Sequence, residues 1–186
     1  MWALKIIVKI ILSKIPLKYS YWRKLGIFKN GRMNEIEYSK KIFFGHLEDL
    51  RKIKKIKNPR ILEIGPGDGI SSAIFARIYE SQKVYLVDIG DFADRDIKKY
   101  KKMISLFKDH YSFKNLPLSK FKNVEDILYN FNASYLKRGL ESMKNLKDKS
   151  VDYIFSHSVM EHIRKSDIDE MINEMFRILS DDGLIS

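Results

Sequence analysis

The sequence predicts an α/β fold, a doubly wound parallel sheet behind a basic helical N-terminal extension. Three observations predict it. Short apolar runs suited to buried strands alternate with helix-periodic stretches; a glycine cluster follows the first run directly; and an acid closes the second. A chain of 186 residues fits one domain with room for a sizeable core. Complete absence of cysteine excludes disulfide scaffolds, thiolate zinc sites, iron–sulfur clusters and cysteine nucleophiles together.

The net charge of +11 is unevenly spread: residues 1–60 hold 16 Lys/Arg against 4 Asp/Glu, and residues 61–186 hold 19 against 20. Met1 to Leu17 is apolar but interrupted by Lys5, Lys9 and Lys14, too short and too charged to span a bilayer. Lys9 splits the apolar region and no small-residue cleavage site follows, so a secretory signal fits poorly and a cytoplasmic chain is expected. On a helix, Lys5, Lys9 and Ser13 share one stripe and leave a broad apolar face, and Tyr19, Tyr21, Trp22 and Arg23 follow Pro16. Residues 1–23 therefore suit peripheral contact with an anionic membrane. The alternatives are docking on the chain's own domain, contact with a second copy, or a solvated basic face.

Asn30-Gly31 marks a loop, and Tyr38, Ile42, Phe43, Leu47, Leu50 and Ile53 give Asn34 to Lys57 one amphipathic helix. Asn58-Pro59 breaks it, and Arg60 to Ile64 reads as a buried strand. Ile70, Ala73, Ile74 and Ile78 form the inner face of the next helix, with Arg77 snorkelling, before a second strand from Lys83 to Asp88. Helices are expected over Ile97–Lys108 and Val124–Phe131, a third strand at Ala133–Leu136 and a fourth at Val151–Ser156. Ser166 with Asp169 reads as a helix start, Asp182-Gly183 as its stop, and Leu184-Ile185-Ser186 as the opening of a fifth strand.

Ligands of such sheets sit beyond the carboxyl ends of the strands. There the chain carries Glu63-Ile64-Gly65-Pro66-Gly67-Asp68-Gly69. A dinucleotide loop would place a glycine where Ile70 stands, and no Lys-Ser/Thr step follows for a triphosphate. Asp88 ends the second strand 19 residues after Gly69, where a carboxylate can accept from two ribose hydroxyls.

These motifs, with Ser150-Val151-Asp152-Tyr153-Ile154-Phe155-Ser156-His157-Ser158-Val159-Met160-Glu161-His162-Ile163 and Arg177 to Gly183, resemble the class I S-adenosylmethionine-dependent methyltransferases over about residues 58 to 186. The resemblance divides the chain into a basic helical extension, 1–57, and a Rossmann-like cofactor-binding domain, 58–186. It implies S-adenosylmethionine as cofactor, with Gly65, Gly67 and Gly69 along its methionine part, Glu63 near its ammonium, Asp88 on the ribose, Ile89 against adenine and Ser156 at the end of the fourth strand. Family members often carry an Asp that accepts from the adenine amino group; here that position is Leu140, with Glu141 or a backbone carbonyl as substitutes. The family's core has seven strands, so a sheet truncated at the fifth is expected.

Methyl transfer needs alignment and exclusion of water, and a base only where the acceptor carries a proton to lose. His157 and His162 are the candidate catalytic residues; the alternative for the Glu161-His162 pair is support of the loop and helix start. His46 and His110 have no motif around them and are expected at the surface or in packing, and no metal site is expected. Between strands two and three, Tyr100, Phe107, Tyr111, Phe113, Phe121, Tyr129 and Phe131 either line an acceptor pocket or form the insertion's own core. The expected acceptor is a small molecule or a lipid- or glycan-linked group. A nucleic-acid acceptor is the alternative, although Ser156-His157-Ser158-Val159 stands where amino-methylating DNA enzymes carry Asn/Asp-Pro-Pro-aromatic. A non-catalytic interaction module is the second alternative.

Overall fold

The computed structural model describes residues 32–114 and 116–186. The helix expected before Pro16, the membrane contact of residues 1–23 and the Asn30-Gly31 loop lie outside the described residues. Helix α1 (Ile36–Ile53) precedes β1 (Arg60–Ile64), α2 (Ser71–Phe75) and β2 (Lys83–Val87). Then come α3 (Ile97–Ser105), α4 (Val124–Asn130), β3 (Ala133–Leu136), α5 (Leu140–Lys144), β4 (Val151–Ser156), α6 (Lys165–Ile178) and β5 (Leu179–Ile185).

The strands form one sheet in the order β3-β2-β1-β4-β5 with every pairing parallel. The order reverses between β1 and β4, the switch point where such sheets open a crevice. Ile64 is level with Val87 on one side and Ser156 on the other, so Gly65, Asp88 and His157 all emerge at the same edge.

Period-two alternation buries both faces of the sheet. Ile61, Tyr153 and Phe155 enter one core; Leu62, Ile64, Val151 and Ile154 enter the other, against Met171, Met175 and Ile178 of α6. Helix α1 belongs to the first core: Phe43, Leu47 and Leu50 are buried there, and the Phe43 ring lies 5.7 Å from Phe75 and 5.9 Å from Phe155. Each such side chain contributes on the order of 2 kcal/mol. Tyr153 ties down the end of α1, donating to the Lys54 carbonyl and accepting from the Ile56 N–H at 3.0 Å.

The insertion between β2 and β3 spends most of its aromatic rings on that same core. Tyr100, Phe113, Phe121 and Phe131 are buried, Phe107 packs against them, and only Tyr111 and Tyr129 face solvent. Its helices are capped: Asp96 accepts from Lys98 N, and Asn123 and Asp126 form a reciprocal capping box.

Several expected boundaries move: the second strand stops at Val87 rather than Asp88, α3 at Ser105 rather than Lys108, and the fifth strand opens at Leu179 rather than Leu184. Arg164, not Ser166, holds the N-cap position of α6; Ser166 lies inside the first turn and donates to Asp167 at 2.6 Å. Asp182-Gly183 does not stop that helix, which ends at Ile178; both residues lie within β5. Val151 pairs with Leu179 and Tyr153 with Leu184, so two steps of β4 face five of β5 and the excess is absorbed as an irregularity. Among the described residues, no helix is long and apolar enough to cross a membrane.

Candidate functional site

The glycine loop is held from both sides by its own chain. Gly65 donates to the Val87 carbonyl at 2.8 Å and, like Gly67, has a left-handed φ (73° and 60°) that favours glycine. A Cβ on Gly65 would fall 2.2 Å from Val159 Cγ2, in the loop after β4. A Cβ on Gly69 would fall 2.6 Å from the Met33 carbonyl oxygen, which accepts from Ser71 Oγ at 2.8 Å. The turn entering α1 therefore rests directly on the loop, a contact that no motif announced.

Asp88 closes the site from β2. Its Oδ2 accepts from Gly67 N at 3.0 Å, its Oδ1 from Ile89 N at 2.8 Å, and its carbonyl from Gly139 N at 2.7 Å. Burial raises the carboxyl's pKa, and the two backbone donors only partly offset it. Ile89 is 80% exposed, and the backbone at Gly139 lies against it.

Glu63 is 2% exposed, and its Oε2 has no hydrogen-bond partner among the described residues. Burial pushes its pKa up to about 8; the nearby Ser72 hydroxyl opposes this and the Asp88 charge adds to it. A buried acceptor without a hydrogen-bond partner among the described residues is the feature an external cation or donor would satisfy.

The remaining predicted residues separate. Ser156 ends β4, its Oγ 3.4 Å from the Ile64 carbonyl. Leu140 packs into the second core, and exposed Glu141 pairs with Lys144 at 2.8 Å. His162 is 76% exposed and stands 3.6 Å from Glu161. His157 is half-buried: its Nε2 lies 3.4 Å from Tyr38 Oη and its Nδ1 3.4 Å from His46 Nε2. His46, expected only at the surface or in packing, stacks on Phe155 at 5.3 Å and meets Ser186 Oγ at 2.7 Å. The signal available for it was spacing, since Tyr38 and His46 are eight residues apart and share a helix face. No group of three or more metal-ligating side chains occurs among the described residues.

A family model described as a methyltransferase domain matches residues 62–186, about two thirds of the chain. No curated protein is significantly similar to it. Among solved structures, the PH0226 protein from Pyrococcus horikoshii superposes with a TM-score of 0.50 at 18% identity, over 91% of this chain and 64% of that one. A putative S-adenosylmethionine-dependent methyltransferase from Methanococcus maripaludis gives 0.48 and 18%, over 83% and 60%. An arsenic(III) S-adenosylmethionine methyltransferase from Chlamydomonas reinhardtii gives 0.44 and 21%, over 70% and 38%. The chain thus spans less than two thirds of the length of each of these three, and the likeness to the first is one of fold. With the motifs, the parallel sheet and the family match in agreement, the chain belongs to the methyltransferase-domain family, of the class I S-adenosylmethionine-dependent type.

Proposed function

We propose that the chain binds S-adenosylmethionine across the carboxyl ends of β1 and β2 and transfers its methyl group to a small-molecule, lipid- or glycan-linked acceptor. The observation that carries this reading is the buried Glu63 carboxyl with an unpartnered Oε2, close enough to the Asp88 carboxylate to be raised by its charge. The residues fit the cofactor. Asp88 holds its carboxylate on two backbone N–H groups and retains lone pairs for two ribose hydroxyls. Glu63 answers an ammonium, the Gly65–Gly69 loop admits the methionine backbone, and Ile89 offers an exposed apolar face to adenine.

When bound, the cofactor supplies an electrophilic methyl group on a sulfonium. The chain's residues align the acceptor, exclude water and, through His157, take up the proton of an acceptor that has one to lose. Solvent-facing His162 is assigned the supporting role beside Glu161. Residues 58–186 would form the cofactor-binding domain and residues 1–57 an extension whose helix α1 shares its core.

Calorimetric titration of the folded chain with S-adenosylmethionine and S-adenosylhomocysteine tests the reading. Micromolar binding is expected, and no binding by a folded chain overturns it. For the extension, deletion of residues 1–18 is expected to remove binding to phosphatidylserine-containing vesicles; unchanged vesicle binding would refute the proposed membrane contact.

A further inference from the structure

We propose that Tyr38 and His46 join His157 in a proton relay, so that the acceptor is a protic nucleophile, a hydroxyl, thiol or amine that loses a proton on methylation. The inference deepens the methyltransferase reading and rests on it. Its ground is geometric. His157 directly follows β4, where Ser156 is level with Ile64, so its backbone leaves the sheet level with the start of the glycine loop. Helix α1 begins next to that loop, where Met33 meets Ser71, and brings Tyr38 and His46 onto the two ring nitrogens of His157.

The contacts form a chain of four groups: Tyr38 Oη to His157 Nε2 at 3.4 Å, His157 Nδ1 to His46 Nε2 at 3.4 Å, and His46 Nδ1 to Ser186 Oγ at 2.7 Å. With both rings neutral, each link is satisfied in one direction. Tyr38 donates to His157 Nε2, His157 Nδ1–H donates to His46 Nε2, and His46 Nδ1–H donates to Ser186. The reversed arrangement satisfies the links equally well. One proton entering at Tyr38 and one leaving at Ser186 converts the first arrangement into the second. Phe155 holds the His46 ring at an interplanar angle of 26°, so the core fixes the middle of the chain.

The chemistry balances. A lone pair of the nucleophile forms the new bond to carbon, the carbon–sulfur pair stays on sulfur, and the pair of the X–H bond stays on X. The released proton enters at the Tyr38 oxygen as Tyr38 passes its own to His157. Besides Tyr38 and Ser186, the group acting on the pair is Asp49 of α1, which favours a charge on His46. Burial first, and His157 second, push the His46 pKa down, so a proton reaching His46 moves on toward Ser186.

The test reads the imidazole ¹⁵N tautomer signatures of the whole chain at about pH 9, where an imidazole is ordinarily neutral, with His110→Asn and His162→Asn chains for assignment. The expected result is that the His46 and His157 rings hold the same tautomer, or the same mixture of the two, and that His46→Asn changes the His157 signature. Rings in opposite tautomers in the unsubstituted chain overturn the relay, whether or not His46→Asn folds. S-adenosylhomocysteine calorimetry separates the failures. Normal binding with opposite tautomers defeats the relay alone; absent binding with matched tautomers defeats the methyltransferase reading and takes the acceptor class with it.

Discussion

At the amino-terminal end of the sheet, the Asp152 carboxylate of β4 accepts from Arg60 N at 2.8 Å, from its guanidinium at 2.9 and 2.7 Å, and from Ser180 Oγ at 2.9 Å. At the carboxyl-terminal end, Asp88 accepts from two backbone N–H groups, and no cation of the described residues acts on it. Burial pushes both carboxyls up. Arg60 and Ser180 more than cancel that push on Asp152, which sits below the usual range, whereas Asp88 stays above it. One end of the sheet is thus electrostatically matched by its own residues, whereas at the other Glu63 Oε2 has no hydrogen-bond partner among the described residues. The same burial costs stability at both ends, and only at Asp152 do hydrogen bonds and an ion pair outweigh it.

The largest expected effect is at Glu63. Its folded pKa of about 8 lies above the ordinary value of 4.5, so the native state binds the extra proton and stability falls as pH rises between them. Below about pH 4.5 the penalty is absent; above about pH 8 it is complete, with a ceiling on the order of 5 kcal/mol at ~1.4 kcal/mol per unit. Glu63→Gln removes the charge and keeps the shape. Urea denaturation of both chains at several pH values should show a stability gain that grows through this window. A pH-independent difference would contradict the assigned burial. Cofactor binding should weaken in the same variant and, in the unsubstituted chain, release a proton near pH 7, read by calorimetry in buffers of different ionisation enthalpy.

Asp88→Ala sharpens the contrast from the ligand side. Two charge-assisted hydrogen bonds at about 1.5 kcal/mol each predict a loss of about 100-fold in S-adenosylmethionine affinity. Because burial raises the Asp88 pKa, the thermal midpoint should hold or rise at neutral pH. Affinity within a factor of about two would remove Asp88 from the ribose.

Asp152→Ala should do the reverse, lowering stability by about 2 kcal/mol while leaving affinity unchanged in the folded chain. The pair is partly exposed, so the loss falls below that of a fully buried one. The depressed Asp152 pKa makes its contribution present above the unfolded value and lost as pH falls through the folded one, so the two chains should converge in acid.

How much of this was legible follows from where the information lies. Arg60–Ile64, Ala133–Leu136 and Val151–Ser156 read as strands over their observed bounds, because apolar runs between breakers are local signals. The glycine loop and Asp88 were legible as motifs, but the bond from Gly67 N to Asp88 depends on β1–β2 register. Local signals also misled: Ser166 looks like an N-cap, yet the chain turns into α6 two residues earlier. Contacts distant in sequence left at most an indirect trace, the shared helix face of Tyr38 and His46. Met33 under Ser71 and His46 beside His157 exist because α1 packs its Phe43–Leu47–Leu50 stripe on the sheet, which carries its other face to the strand ends.

The smallest expected effect tests whether the incomplete end includes an apolar surface as well as unanswered charge. Ile89 is 80% exposed although it stands only two residues past the end of β2, and its Cγ2 lies 2.9 Å from where a Gly139 Cβ would stand. Its exposed methyl groups contribute little to folding, so Ile89→Ala should leave the thermal midpoint nearly unmoved. Packing against a flat base would bury about one carbon's worth of Ile89 surface at roughly 0.8 kcal/mol, predicting about four-fold weaker cofactor binding. Adenosine and S-adenosylhomocysteine should lose affinity by the same factor, because both carry the base, whereas a stability loss larger than the binding loss would make Ile89 a packing residue of the β3 loop.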